Sequence, residues 1–138
     1  MRKVNEGILY TLAKIAEAND DSNIRFAAAI VHRNQIISIG YNRRKSHPFQ
    51  AKYAKNSEAI YLHAEIHAIK NALREISVDD LSRCDIYIAR VKRQQAGDEH
   101  FVWGLSKPCV GCARAIAEFG FRRTIYTTDE HGKYEVIE

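Results

Sequence analysis

Along residues 3–18 the apolar side chains Ile8, Leu12 and Ile15, joined by Leu9, Ala13 and Ala16, recur at i, i+4, i+7 spacing, which predicts an amphipathic helix. The polar run Asn19-Asp20-Asp21-Ser22-Asn23 ends it. Two short apolar runs, Phe26–Val31 and Ile36–Tyr41, flank the polar segment His32-Arg33-Asn34-Gln35 and read as strand, turn, strand; β-branched residues beside the turn decide against a helix for the alanine run. Leu62, Ile66, Ile69 and Leu73 mark a helix from about His63 to Glu75. Cys84–Val91 reads as a strand and Gln94–Gly104 as a loop holding Phe101 and Trp103. Pro108 opens a helix over 109–119 that Gly120 closes, the expected asymmetry of helix ends. Arg123–Thr128 is a further strand, and Lys133–Ile137 follows after a turn short enough to force an antiparallel return. Strands interleaved with helices predict an α/β fold, a sheet covered by helices.

A chain of 138 residues, 46% hydrophobic and 28% charged, is expected to form one domain over 1–138. At this size roughly 68% of the unfolded surface can be buried, so neither disulfides nor a metal is needed to hold the fold, and a bound metal would point to chemistry. Met1–Glu6 has no apolar stretch of a secretory leader, and nowhere do about 20 apolar residues run together; a cytoplasmic protein with no membrane crossing is expected. The net charge of +4 leans weakly toward anionic partners. Residues 42–55 carry five cations, Arg43, Arg44, Lys45, Lys52 and Lys55, and no anion. This basic, aromatic-bearing segment is either a phosphate-recognising loop or a solvated one.

Three cysteines make no disulfide framework, and Cys109-x-x-Cys112 suits metal or redox work. At i, i+3 in a first helical turn the two sulfurs share a side, where the helix dipole favours thiolates and so offers two soft zinc ligands. His63 and Glu65 lie about 200° apart around a helix, so both reach one metal only if it sits off the helix's N-terminal end. One His and two Cys leave a tetrahedral position open, as a catalytic zinc requires, with Glu65 as proton carrier. A redox pair would leave His63 and Glu65 unexplained, and a zincin reading fails because Ala64 stands where Glu must follow His.

His63-Ala64-Glu65 with the later Pro108-Cys109-Val110-Gly111-Cys112 resembles the zinc-dependent cytidine and deoxycytidylate deaminase superfamily, whose signature is H-x-E followed by P-C-x-x-C. The resemblance extends over the order of elements from about residue 24 to 128. It implies an α/β/α sandwich with a mixed five-stranded sheet, ending here in a C-terminal antiparallel hairpin. It also implies one zinc ion per chain on His63, Cys109 and Cys112, Glu65 as the acid/base, and base contacts from Asn42 and the Ala64 backbone N–H. The implied reaction is hydrolytic: the metal lowers the pKa of water toward about 7 while Glu65 carries protons to the ring nitrogen and then to departing ammonia. A homo-oligomer is expected, since family members commonly associate.

Cytosine in a free nucleotide or nucleoside, as in deoxycytidylate deaminase, is the first substrate reading. The alternative is nucleic-acid editing of tRNA adenosine or single-stranded cytosine, and a third is a non-catalytic zinc module closed by Cys84. Arg43, Arg44, Lys45 and His47 are further candidate substrate contacts, and Trp103 is the aromatic, among Tyr41, Phe49, Tyr53 and Phe101, expected to stack on a base. His67 is expected on a polar helix face or beside a ligand, and His32, His100 and His131 in solvent. The interval between His63 and Cys109 exceeds that of deoxycytidylate deaminases, with the extra residues falling in Gln94–Gly104.

Overall fold

The computed structural model describes residues 3–19, 24–43, 63–95, 97 and 100–138. Helix α1 spans Glu6–Ala18; its N-cap, Asn5, accepts the Gly7 N–H and donates its own N–H to the Tyr87 hydroxyl, pinning the helix start to the sheet. Strands β1 (Arg25–His32) and β2 (Gln35–Tyr41) form a hairpin whose two turn residues, Arg33 and Asn34, have φ of 52° and 64°. Two positive φ angles match the turn to the right-handed twist of its strands. Ala27, Ala28 and Ala29 are fully buried in β1, the run of small side chains filling both faces of an interior strand.

Helix α2 (Ala64–Ala72) follows, then a four-residue helix α3 (Val78–Leu81) that periodicity is too short to show, capped reciprocally by Ser77 and Asp80. Next come β3 (Asp85–Arg93), β4 (Phe101–Gly104), α4 (Val110–Phe119), β5 (Arg123–Thr127) and β6 (Tyr134–Ile137). Gly120 ends α4 at φ 74°, a left-handed cap that glycine adopts without strain.

The sheet is mixed, with order β2-β1-β3-β5-β6; β3 and β5 are parallel and β6 returns antiparallel to β5, as the short turn requires. The five-strand path is the expected one. The segment expected as part of a loop adds a sixth strand: β5 pairs with β3 over Asp85–Ile88, leaving the edge at Arg90–Arg93 open, and β4 covers it. Alternation divides the sheet's side chains between two cores. Ala28, Ile30, Ile86 and Ile88 pack against α2, α3 and α4 on one face, and Ala27, Ala29, Val31, Tyr87 and Ala89 against α1 on the other. No described helix is long and apolar enough to cross a membrane.

Candidate metal centre and active site

Two helix starts meet on the face that carries α2 and α4. His63 is the N-cap of α2, in extended conformation, and its side chain makes no capping bond. Cys109 is the N-cap of α4; its sulfur accepts the Cys112 N–H at 3.5 Å, which turns both sulfurs to the same side. The imidazole Nδ1 of His63 lies 3.3 Å from Cys112 Sγ and 3.6 Å from Cys109 Sγ. Tetrahedral zinc, with Zn–S of about 2.3 Å and Zn–N of about 2.0 Å, separates nitrogen from sulfur by roughly 3.5 Å, so this donor set fits the ion as it stands. All three ligand atoms lie within 4.8 Å of one another. Neutral imidazole plus two thiolates is a zinc set in chemistry as well as spacing.

The electrostatics suit a cation. Hydrogen bonds from the Cys112 and His63 side chains bring the Cys109 thiol down to about 3, so it is a thiolate near neutral pH. The same contact with Cys109 raises the imidazole's pKa against the opposing effect of burial. Glu65, in the first turn of α2, is 6% exposed; burial raises its pKa, with the His63 charge and a hydrogen bond from Cys112 opposing. A buried carboxyl biased toward its protonated form, one turn from the ligands, is equipped to carry a proton. Ala64, fully buried between them, occupies the first helical position, where the backbone N–H has no intrahelical acceptor.

The helix start is held by close packing and by His67. Its Nδ1 lies 3.1 Å from both the N–H and the carbonyl of Tyr41, and its ring stands edge-on to the Tyr41 ring, so it joins α2 to the end of β2. Cys84 is buried in the core with its thiol donating to the Asp80 carbonyl and does not belong to the donor cluster, so among the described residues it does not supply the fourth ligand that a closed structural site needs. Asn42 ties down the chain ends beside it: its side-chain oxygen accepts from Asn19 and the Phe26 N–H, and its amide donates to the Ile24 carbonyl, leaving one amide hydrogen unused among the described residues.

Trp103 is a correction. It is 2% exposed, on the α1 side of the sheet between Tyr10 and His131, and does not face the site. Its burial depends on α1, distant in sequence, which a reading of local pattern does not reveal. His131 is exposed as expected but accepts the Trp103 N–H at 3.2 Å. Arg43 lies over the Tyr41 ring at 5.8 Å. Arg44, Lys45, His47, Phe49 and Tyr53 lie outside the described residues. Two residues that periodicity did not single out, Ser106 and Thr127, are fully buried and exchange hydrogen bonds at the start of the segment leading to Cys109; with Lys107 beside one and Thr128 beside the other, the sequence carries no signal for them.

Comparison with known proteins places this geometry. A family model described as the cytidine and deoxycytidylate deaminase zinc-binding region matches residues 2–128. The tRNA-specific adenosine deaminase of Rickettsia bellii (strain RML369-C) is 32% identical over 127 residues, covering 89% of this chain and 68% of that protein. In fold, the chain is similar to the dCMP deaminase of the cyanophage S-TIM5. The apo structure matches with a TM-score of 0.57 and 17% identity over 93% of this chain and 86% of that one. The complex with dCMP and dUMP matches at 0.56 and 17% over 88% and 78%. With the signature residues converged on one metal-binding point and the match running over nearly its whole length, the chain belongs to the cytidine and deoxycytidylate deaminase family.

Proposed function

We propose that the chain is a zinc-dependent hydrolytic deaminase that replaces the exocyclic amine of cytosine in a free nucleotide or nucleoside with a carbonyl and releases ammonia. The observation that carries this reading is the approach of His63, Cys109 and Cys112 to one point with the buried Glu65 carboxyl beside it. Zinc held by these three side chains supplies Lewis acidity that makes water a nucleophile near neutral pH. Glu65 takes a proton on a carboxylate oxygen, returns it to the ring nitrogen next to the reacting carbon, and then serves the departing amine. Its burial supports that role, since a carboxyl whose pKa is raised toward the working pH both accepts and donates. The Ala64 N–H and the remaining Asn42 amide hydrogen are the proposed contacts to the substrate.

The free-nucleotide reading is supported by the likeness in fold to a dCMP deaminase, whose crystals hold dCMP and dUMP. A second reading, action on adenosine in tRNA, is favoured by the 32% identity to the Rickettsia protein. An ammonia-release assay of zinc-loaded protein against deoxycytidine, dCMP, dCTP, adenosine, single-stranded oligonucleotides and tRNA separates them. Turnover of dCMP or deoxycytidine supports the first, turnover of tRNA alone supports the second, and no ammonia from any of them rejects both.

A further inference from the structure

Successive rows of side chains across the sheet locate a cation beside this site. Gly40, Ala28 and Ile88 form one row, through the pairs Ala28↔Gly40 and Ala28↔Ile88, and the first turn of α2 lies directly over its Gly40 end. Two residues along each strand, roughly 7 Å away, the next row on the same face contains Phe26 and its partner Arg90, with Gly104 of β4 on the far side. Helix α2 runs back along β2, with Ser38 donating to the Ala68 carbonyl and Asn71 to that of Ile39. Its N-terminus, with His63 and Glu65, therefore points toward the row of Phe26 and Arg90.

The Arg90 guanidinium is prearranged. It lies over the Phe26 ring at 5.5 Å, and its stem crosses Gly104 so closely that a Cβ there would meet Arg90 Cδ at 3.0 Å. Its Nε is buried without a hydrogen-bond partner among the described residues. The neighbouring carboxylate, Asp129, accepts from the Lys92 ammonium and the Leu105 N–H through Oδ1, and makes no hydrogen bond with Arg90 among the described residues, although the Arg90 charge helps to hold its pKa down. A charged fork whose Nε is buried, held by a ring on one side and a glycine on the other, leaves its terminal nitrogens as the donors for an anionic oxygen acceptor.

We propose that Arg90 receives the phosphoryl group of a mononucleotide substrate and makes the enzyme prefer a monophosphate to the corresponding nucleoside. The assignment rests on the free-nucleotide reading above. A hydrogen bond to a charged group of this kind is worth on the order of 10- to 100-fold in affinity.

The test is calorimetric titration of the zinc-loaded protein with dUMP and with deoxyuridine, alongside ammonia release from dCMP and deoxycytidine. Wild type is expected to bind dUMP at least about tenfold more tightly than deoxyuridine. Arg90→Gln is expected to lose most of that ratio, Arg90→Lys to keep part of it, and Phe26→Leu, which removes the ring beneath the guanidinium, to reduce it several-fold. Metal analysis of each variant keeps zinc loss apart from phosphate loss, and Phe26→Leu serves if Arg90→Gln fails to fold. A wild-type preference for dUMP that survives Arg90→Gln overturns the assignment and leaves the functional reading intact. Absence of ammonia from dCMP and deoxycytidine alike with wild type overturns the functional reading itself, and equal affinity for dUMP and deoxyuridine overturns the assignment alone.

Discussion

Gly40 of β2 and Ala68 of α2 lie so close that a Cβ at Gly40 would come within 2.2 Å of the Ala68 amide nitrogen, and within 2.6 Å of the Ala64 carbonyl oxygen. Both obstacles are backbone, which cannot swing aside. Any side chain at position 40 must therefore lift the helix that begins at His63.

Gly40→Ala is accordingly expected to destabilise the protein by about 1–3 kcal/mol, the usual range for overpacking. It should also weaken zinc, because the displaced helix carries one ligand while the two sulfurs stay on α4. Urea unfolding reads the first effect and competition with a chromophoric chelator the second. Unaltered zinc affinity in a destabilised variant would mean that the packing sets stability but not the position of His63.

Glu65→Gln keeps the size of the side chain but removes its ability to exchange a proton. Activity is expected to fall 10²–10⁴-fold, the range for loss of a general acid–base group, with zinc retained at one ion per chain. Metal analysis beside ammonia release makes the check. A zinc-loaded variant with near wild-type turnover would take the proton-carrying role away from Glu65.

The ligands' protonation sets a pH dependence for metal binding. Zinc takes neutral imidazole, and in the metal-free protein the pKa of His63 is raised by its contact with Cys109. Below that pKa the metal must displace a proton, so His63 makes affinity fall by about a decade per pH unit as pH drops. Cys109, already a thiolate down to about pH 3, adds nothing to the slope over the neutral range, whereas the Cys112 thiol that donates to it must give up its proton when the metal binds. The same thiolate should make exposed Cys109 react with iodoacetamide at pH 6 in metal-free protein, ahead of Cys84, whose thiol burial pushes up. Peptide mapping with and without zinc follows it, and equal labelling of Cys84 and Cys109 at pH 6 would contradict the assignment.

The metal centre was legible in the sequence because each half of it is local: a cap residue and its first turn carry two of the four groups apiece. Pro108 and Gly120 bracket α4 for the same reason, since cap chemistry acts within one turn. Features set by distant packing were not legible. Trp103 reads as a loop aromatic until α1 covers it, and β4 has only four residues, preceded by polar ones, with no pattern long enough to register. Arg90 reads as the polar interruption of an apolar strand; only the alignment of β1, β3 and β4 brings it beside Phe26 on the face of the metal ligands.

One such non-local device supports the cysteine-bearing segment. Between the last β3–β5 pair, Ile88↔Tyr126, and the first β3–β4 pair, Arg90↔Gly104, the sheet changes partner, and two buried hydroxyls fill the join. Thr127 Oγ1 accepts the Arg90 N–H at 3.1 Å and donates to the Gly104 carbonyl at 2.7 Å. Ser106 Oγ donates to the Ile88 carbonyl and accepts the Thr127 N–H. Thr127→Val keeps the shape of the side chain but strands a donor and an acceptor without water, at about 1–3 kcal/mol for each buried group left unmet. Thr127→Ser keeps the hydroxyl and should lose much less. Because Ser106 stands three residues before Cys109, the valine variant is also expected to bind zinc more weakly than the serine one. Denaturant midpoints and chelator competition on the pair decide it: if Thr127→Val matches Thr127→Ser in both, the hydroxyl does not hold the loop.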